Sequence, residues 1–184
     1  MRLVPLALLA MVLAATACAA AAPDKAIDPP GGPAVGTMAA PFGLPDIDGK
    51  FTTLSSFAGK PVVLNFWAFW CDTWKDEMPY LRELATQKDE LGFRIAAVSI
   101  DGSRREAFLN NCRPMPVFPV LLDGGGKVSA AYDIRRVPTV VVLDAHGRVC
   151  YVHSGYPGND AVLSAVRRAL GRSVPPAATA RTGP

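Results

Sequence analysis

Two near-continuous apolar runs, Pro61–Trp67 and Phe93–Ile100, constrain the fold of this chain more than any other feature. Such runs read as strands buried on both faces, because a strand with one solvated face would alternate polar and apolar residues. Between them, Met78, Leu81, Leu84 and Ala85 recur at helical spacing after Cys71, and Gly92 following Leu91 predicts the end of that helix. Ser103 and Glu106 have the spacing of a capping box, which predicts a second helix running to about Asn111. Val117–Leu122 is strand-like, Gly124, Gly125 and Gly126 break it, and Lys127–Tyr132 follows as a short helical turn. Thr139–Leu143 and Arg148–His153 form an antiparallel hairpin across Asp144–Gly147, and a last helix starts near Asn159 and stops before Gly171. Asp48-Gly49-Lys50 marks a further hairpin between extended pieces at Phe42–Leu44 and Phe51–Thr53. The expected domain is therefore an α/β unit whose strands and helices alternate, closed by a hairpin and a helix.

At 184 residues, half of them apolar, the chain supports one core with tails. Residues 1–18 read as an export signal: Arg2 precedes Leu3–Ala17, apolar except for Thr16, and small residues follow. Ala15-Thr16-Ala17-Cys18 resembles a bacterial lipobox, with Ala15 where leucine is usual, so lipidation at Cys18, ordinary cleavage and retention as an uncleaved anchor are all compatible with the segment. The protein is thus expected outside the cytoplasm, in the periplasm or cell envelope, with a lipid or an uncleaved signal as its membrane link. Residues 19–41 are Ala, Pro and Gly with few charges and read as a tether. The folded unit is expected over 42–172, and Ser173–Pro184 reads as a disordered tail. The formal charge of +3 is scattered, without the basic stripe that nucleic acid binding needs.

Several separated segments, in order, make the chain recognisable. Leu54-Ser55-Ser56-Phe57, Gly59 through Ala68, Trp70-Cys71, Glu77-Met78-Pro79 and Val137-Pro138-Thr139 together resemble the thioredoxin superfamily, and within it the TlpA/ResA branch of extracytoplasmic thiol-disulfide oxidoreductases. The resemblance spans nearly all of Phe42–Leu170. It implies a thioredoxin-like fold, a central mixed β-sheet flanked by helices, here with an N-terminal β-hairpin extension. It also implies that Pro138 is cis and packs beside the active cysteine, while the backbone at Val137 pairs with an extended client. Pro79 matches the family's kink in the first helix.

The family motif reads Trp-Cys-x-Pro-Cys followed by a basic residue. Trp70, Cys71 and Lys75 fit, whereas Thr73 stands in place of the proline and Trp74 in place of the second cysteine. In a dithiol site the first thiolate attacks a disulfide and the second expels the product from the mixed disulfide. With Trp74 present, that second step has no thiol in the motif. Cys71 is then expected to act as a lone nucleophile, modestly activated by the helix terminus and by Lys75 and opposed by Asp72. Asp101, after the second central strand, is the nearest counterpart of an acid found in some relatives.

Two functional classes follow. In the first, Cys71 exchanges with protein thiols and disulfides and an external thiol resolves the adduct, or it senses peroxide through a sulfenic acid. In the second, the groove beside Pro138, formed by Trp70, Trp74, Val137 and Thr139, grips an extended client segment without redox chemistry. Trp74 fits either as a groove anchor or as core filling the volume of the lost thiol. Cys112, expected at a helix end or surface, and Cys150, expected as a small core residue, are the remaining candidates for resolution. A copper-chaperone motif would need a second cysteine at position 75, which is Lys, and His146 and His153 read as solvated; no metal and no cofactor is expected.

Overall fold

The computed structural model describes residues 31–101 and 105–171. Cys18, the signal, Ser103 and the expected C-terminal tail lie outside the described residues. Five strands form one mixed sheet in the order β5-β4-β3-β6-β7: β3 (Val62–Trp67), β4 (Arg94–Ser99), β5 (Val120–Leu122), β6 (Thr139–Leu143) and β7 (Val149–Ser154). β4 runs parallel to both β3 and β5, while β6 is antiparallel to β3 and to β7. A separate two-stranded hairpin joins β1 (Gly43–Pro45) to β2 (Phe51–Thr53), and the Asp46 carboxylate accepts the backbone N–H of Asp48 and Lys50 to hold its turn. This is the mixed sheet with an N-terminal hairpin that the sequence led us to expect.

The two apolar runs serve two cores. Along β3, Val63 and Trp67 face one side with Ile95 and Ala97 of β4 and Val140 and Val142 of β6, whereas Val62, Leu64 and Phe66 face the other. The first side is covered by α1 (Trp74–Thr86), α3 (Arg105–Asn111) and α5 (Asn159–Ala169), through Met78, Leu81, Phe108, Val162 and Val166. The second is covered by the hairpin and by α4 (Lys127–Ala131), through Phe42, Leu44, Val128 and Tyr132. Asn65 lies on the α1 side of β3 at 1% exposure, a polar residue on an otherwise apolar stripe.

Two expectations need correction. The helix foreseen from Cys71 to Gly92 is two pieces, α1 and α2 (Lys88–Leu91), separated at Gln87, with Gly92 closing the second in a left-handed conformation at φ 80°. Residues 32–40, expected within the tether, are pinned along the start of β7. Gly36 and Val149 pair through Gly36 N to Val149 O at 2.8 Å, Val149 N donates to Thr37 O at 2.9 Å, and Ala39 N reaches Gly147 O at 2.9 Å. Tyr132 adds a hydroxyl bond to Ala40 O at 2.9 Å. The physical reason is the edge of the sheet: β7 leaves backbone groups unpaired, and this segment satisfies them.

Candidate functional site

Cys71 sits in the turn between the C-terminal end of β3 and the first turn of α1. Its N–H donates to Ala68 O at 3.2 Å and its carbonyl accepts Trp74 N at 3.2 Å, so the sulfur is presented just ahead of the helix. The turn is fastened from below by Asp101, whose Oδ2 accepts Phe69 N at 2.8 Å and Trp70 N at 3.3 Å while Oδ1 accepts the Ser99 hydroxyl at 2.7 Å. Asp101 thus acts on the backbone leading to Cys71. Lys75 is exposed and forms an ion pair with Asp72 at 3.7 Å.

The half-buried Cys71 Sγ faces two oxygens. It lies 3.2 Å from Thr73 Oγ1 and 3.7 Å from Val137 O. The Val137–Pro138 peptide bond is cis. Trp70 stands 60% exposed beside the sulfur, a large apolar surface open to a partner. Two other expected groove residues are turned away. Thr139 is buried and donates its hydroxyl to Arg136 O at 2.8 Å. Trp74 is only 3% exposed, with ring centroids 5.7 Å from Trp67, 5.4 Å from Phe69 and 6.1 Å from Phe108, so its side chain is core rather than groove wall. Its position on the same helical face as Met78 and Leu81 is the reason: three and seven residues separate it from Glu77 and Leu81, one and two turns along α1.

That same face carries an acid. Glu77 is 6% exposed, and burial pushes its carboxyl from 4.5 up to about 7, reinforced by Asp76 and opposed by the Thr73 and Asn65 side chains. Asn65 exerts this influence without closing a well-formed hydrogen bond, since both of its amide atoms and Glu77 Oε2 remain unpartnered. The indole nitrogens of Trp67 and Trp74 are likewise buried without acceptors. Tyr156, whose hydroxyl donates to Asn159 Oδ1, is shifted upward by burial, then by Glu77 and Glu83. Sequence reasoning treated Glu77 only as part of a family signature and Thr73 only as a departure from one. An acid inside the apolar stripe Trp74, Met78, Leu81, Leu84, Ala85 was the available signal for the first.

Neither of the other described thiols is bonded to Cys71. Cys150, near the start of β7, belongs to the opposite end of the sheet: β7 pairs Val149 with Leu143, and Leu143 pairs with Val62 at the start of β3. Strand rise separates that end from the Cys71 end by roughly 15 Å or more, far beyond disulfide reach. Cys150 is half-buried rather than core, and burial and then Asp144 push its thiol up. Cys112 is 1% exposed, not a surface residue; Arg82 Nη2 donates to its sulfur at 3.2 Å, and burial pushes the thiol up against the pull of that guanidinium. All three described cysteines are free. Among the described residues no three His, Cys, Asp or Glu side chains converge as metal ligands. His146 lies in the β6–β7 turn, and exposed His153 stacks on Tyr151 with centroids 6.2 Å apart.

Comparison with known proteins agrees with this geometry. Residues 34–170 match the redoxin family. The chain is 36% identical over 116 residues to thiol-disulfide oxidoreductase ResA of Bacillus thuringiensis subsp. konkukian, covering 62% of this chain and 66% of that protein. Against ResA of Bacillus subtilis it is 37% identical over 121 residues, 65% of this chain and 67% of that one. The chain thus spans about two thirds of the length of these curated relatives. Among solved structures it is similar to the pneumococcal exposed lipoprotein thioredoxin Etrx1 of Streptococcus pneumoniae, with a TM-score of 0.63 and 28% identity over 70% of this chain and 99% of that one.

Proposed function

The chain belongs to the redoxin family, and from that premise we propose that it performs thiol-disulfide exchange outside the cytoplasm as a monothiol protein, with Cys71 as the nucleophile. The observation that carries this reading is the sulfur itself: half-buried ahead of α1, beside Pro138, with an indole packed into the core at the position of the second thiol. The Cys71 thiolate attacks one sulfur of a client disulfide. A new sulfur–sulfur bond forms to Cys71, the client bond breaks, and the other client sulfur leaves with the electron pair and takes up a proton. An external thiol then attacks the adduct, forms a disulfide with the client and returns Cys71 as a thiol. The names of the relatives support exchange chemistry, and the apolar segment Leu3–Ala17 supports export, with Cys18 as the candidate lipid attachment point.

Client docking uses the exposed Trp70 and the backbone of Val137 beside it. The exposure of Trp70 also favours the second reading, in which the same surface holds a client without exchange. The test is trapping: the full chain is mixed with a disulfide-bearing peptide, quenched in acid, and the adduct is mapped by mass spectrometry. A Cys71 adduct that persists until glutathione is added is the expected result. A folded protein that forms no such adduct, or a Cys71→Ser protein with undiminished cellular function, moves the assignment to the binding reading.

A further inference from the structure

The end of the sheet opposite Cys71 has a cleft of its own. β3 and β4 run parallel with Val62 beside Arg94 and Trp67 beside Ser99, so Arg94 opens β4 at the far end from the turn that holds the sulfur. Around Arg94, residues of β2, α2 and the segment leading into β5 enclose a cleft of about 300 Å³. Its walls include the buried rings of Phe57 and Phe118, whereas Phe51 and Val117, which also line it, are 67% and 68% exposed. Three cations, Lys50, Lys88 and Arg94, line the same cleft, and no acidic residue does. Asp89 stands outside the lining and offsets part of this charge, with Oδ2 2.8 Å from Lys88 Nζ and Oδ1 3.6 Å from Arg94 Nη1. Lys60 adds positive charge to the same neighbourhood, since it acts on Asp89 together with Lys88 and Arg94.

Cations and exposed apolar side chains around one cleft call for a partner that offers anionic and apolar groups together. A small anion would leave Phe51 and Val117 in water, and a purely apolar ligand would cover three charges without compensating them. We propose that this cleft docks on the anionic headgroups of a phospholipid leaflet, with lipid phosphate against Lys50, Lys88 and Arg94 and with Phe51 and Val117 entering the interface. In that pose the opposite end of the sheet, with Cys71 and the exposed Trp70, faces away from the membrane, roughly 15 Å or more from the cleft by strand rise. The proposed export of the chain would bring it beside such a surface, and the docking itself uses no thiol.

The test is amine footprinting of the full chain with excess vesicles, in which the acetylation rate of each lysine is read by mass spectrometry. One set of vesicles is phosphatidylcholine alone, and the other is an equal mixture of phosphatidylcholine and phosphatidylglycerol. Lys50 and Lys88 should react about five-fold more slowly on the anionic vesicles, the factor that one cation contributes at such a surface, while Lys75 near Cys71 keeps its rate. High salt should remove the protection. Phe51→Thr with Val117→Thr, and separately Lys50→Gln with Arg94→Gln, should each return Lys88 to its rate on neutral vesicles. Equal rates on the two kinds of vesicle, slowing that extends to Lys75, or protection that survives both double variants overturns the proposal. So does equal protection by glycerol phosphate in solution, which would make the cleft a site for a small anion. A Cys71→Ser protein should footprint as wild type, so failure of the exchange reading and failure of membrane docking are separately visible.

Discussion

Replacing Trp74 by cysteine restores the dithiol spacing, and the packing sets how the fold responds. The indole is 3% exposed and lies against the rings of Trp67, Phe69 and Phe108. Truncating a buried aromatic of this size costs about 3–5 kcal/mol through lost transfer energy and the cavity left behind. An opposing contribution comes from the indole N–H, which is buried without an acceptor; removing an unsatisfied donor returns about 1–3 kcal/mol. Trp74→Cys should therefore lose roughly 2 kcal/mol. With a urea slope of about 1–3 kcal/mol per molar, the midpoint should fall by roughly 1 M under reducing conditions. Trp74→Phe keeps most of the ring contact and drops the N–H, so it should stay within about 1 kcal/mol of wild type. Equilibrium urea denaturation followed by far-ultraviolet circular dichroism measures all three proteins. A Trp74→Cys protein as stable as wild type, or a Trp74→Phe protein less stable than Trp74→Cys, refutes the assignment of Trp74 to the core.

The buried acid and the anchoring aspartate give two further expectations. Glu77 is shifted from 4.5 to about 7 in the fold, so between those values the folded state holds a proton that the unfolded state has released, and stability falls as pH rises through that window. The loss amounts to at most roughly 3 kcal/mol; Glu77→Gln should flatten the stability–pH curve between pH 4.5 and 7, and an unaltered slope in that variant would falsify the assignment of the shift. Asp101→Ala removes the acceptor of Phe69 N and Trp70 N and should cost about 1.5–3 kcal/mol, with faster hydrogen exchange at those two amides; unchanged exchange there would mean that the turn is held by other contacts.

Local signals made most of the architecture readable. The strands β3 and β4 were visible because burial on both faces removes alternation, and the β1–β2 turn because Asp48-Gly49 supplies an aspartate beside a glycine that adopts φ 81°. What escaped depends on partners distant in sequence. Residues 32–40 have the composition of a tether, and their order comes from backbone pairing with β7 more than a hundred residues away, which leaves no mark on side-chain pattern. The break between α1 and α2 at Gln87 has neither Gly nor Pro to announce it. Cys112 reads as a helix-end residue, yet Arg82 from α1 and the apolar neighbours around Phe108 close over it. At the site, sequence alone left Trp74 divided between anchor and core. Three aromatic neighbours decide that question, and only Trp67 and Phe69 are close in the chain.

The residues that changed and those that did not divide along the two halves of the exchange reaction. The attacking half needs a sulfur presented at the surface, a fixed turn behind it and backbone beside it for the client; in the proposed reading Cys71, Asp101 and Val137 with Pro138 would supply these. The resolving half needs a second sulfur held within reach, and Trp74 has become part of the packing between β3 and α1. A well-oriented intramolecular partner contributes up to about 7–11 kcal/mol over a reagent free in solution, and that advantage is absent here. On the proposed monothiol reading, resolution is first order in external thiol, whereas attack is set by the geometry at Cys71. Where external thiols are scarce, the proposed reading makes the adduct the long-lived species, so a site that would exchange in a thiol-rich medium would hold its client covalently in a thiol-poor one.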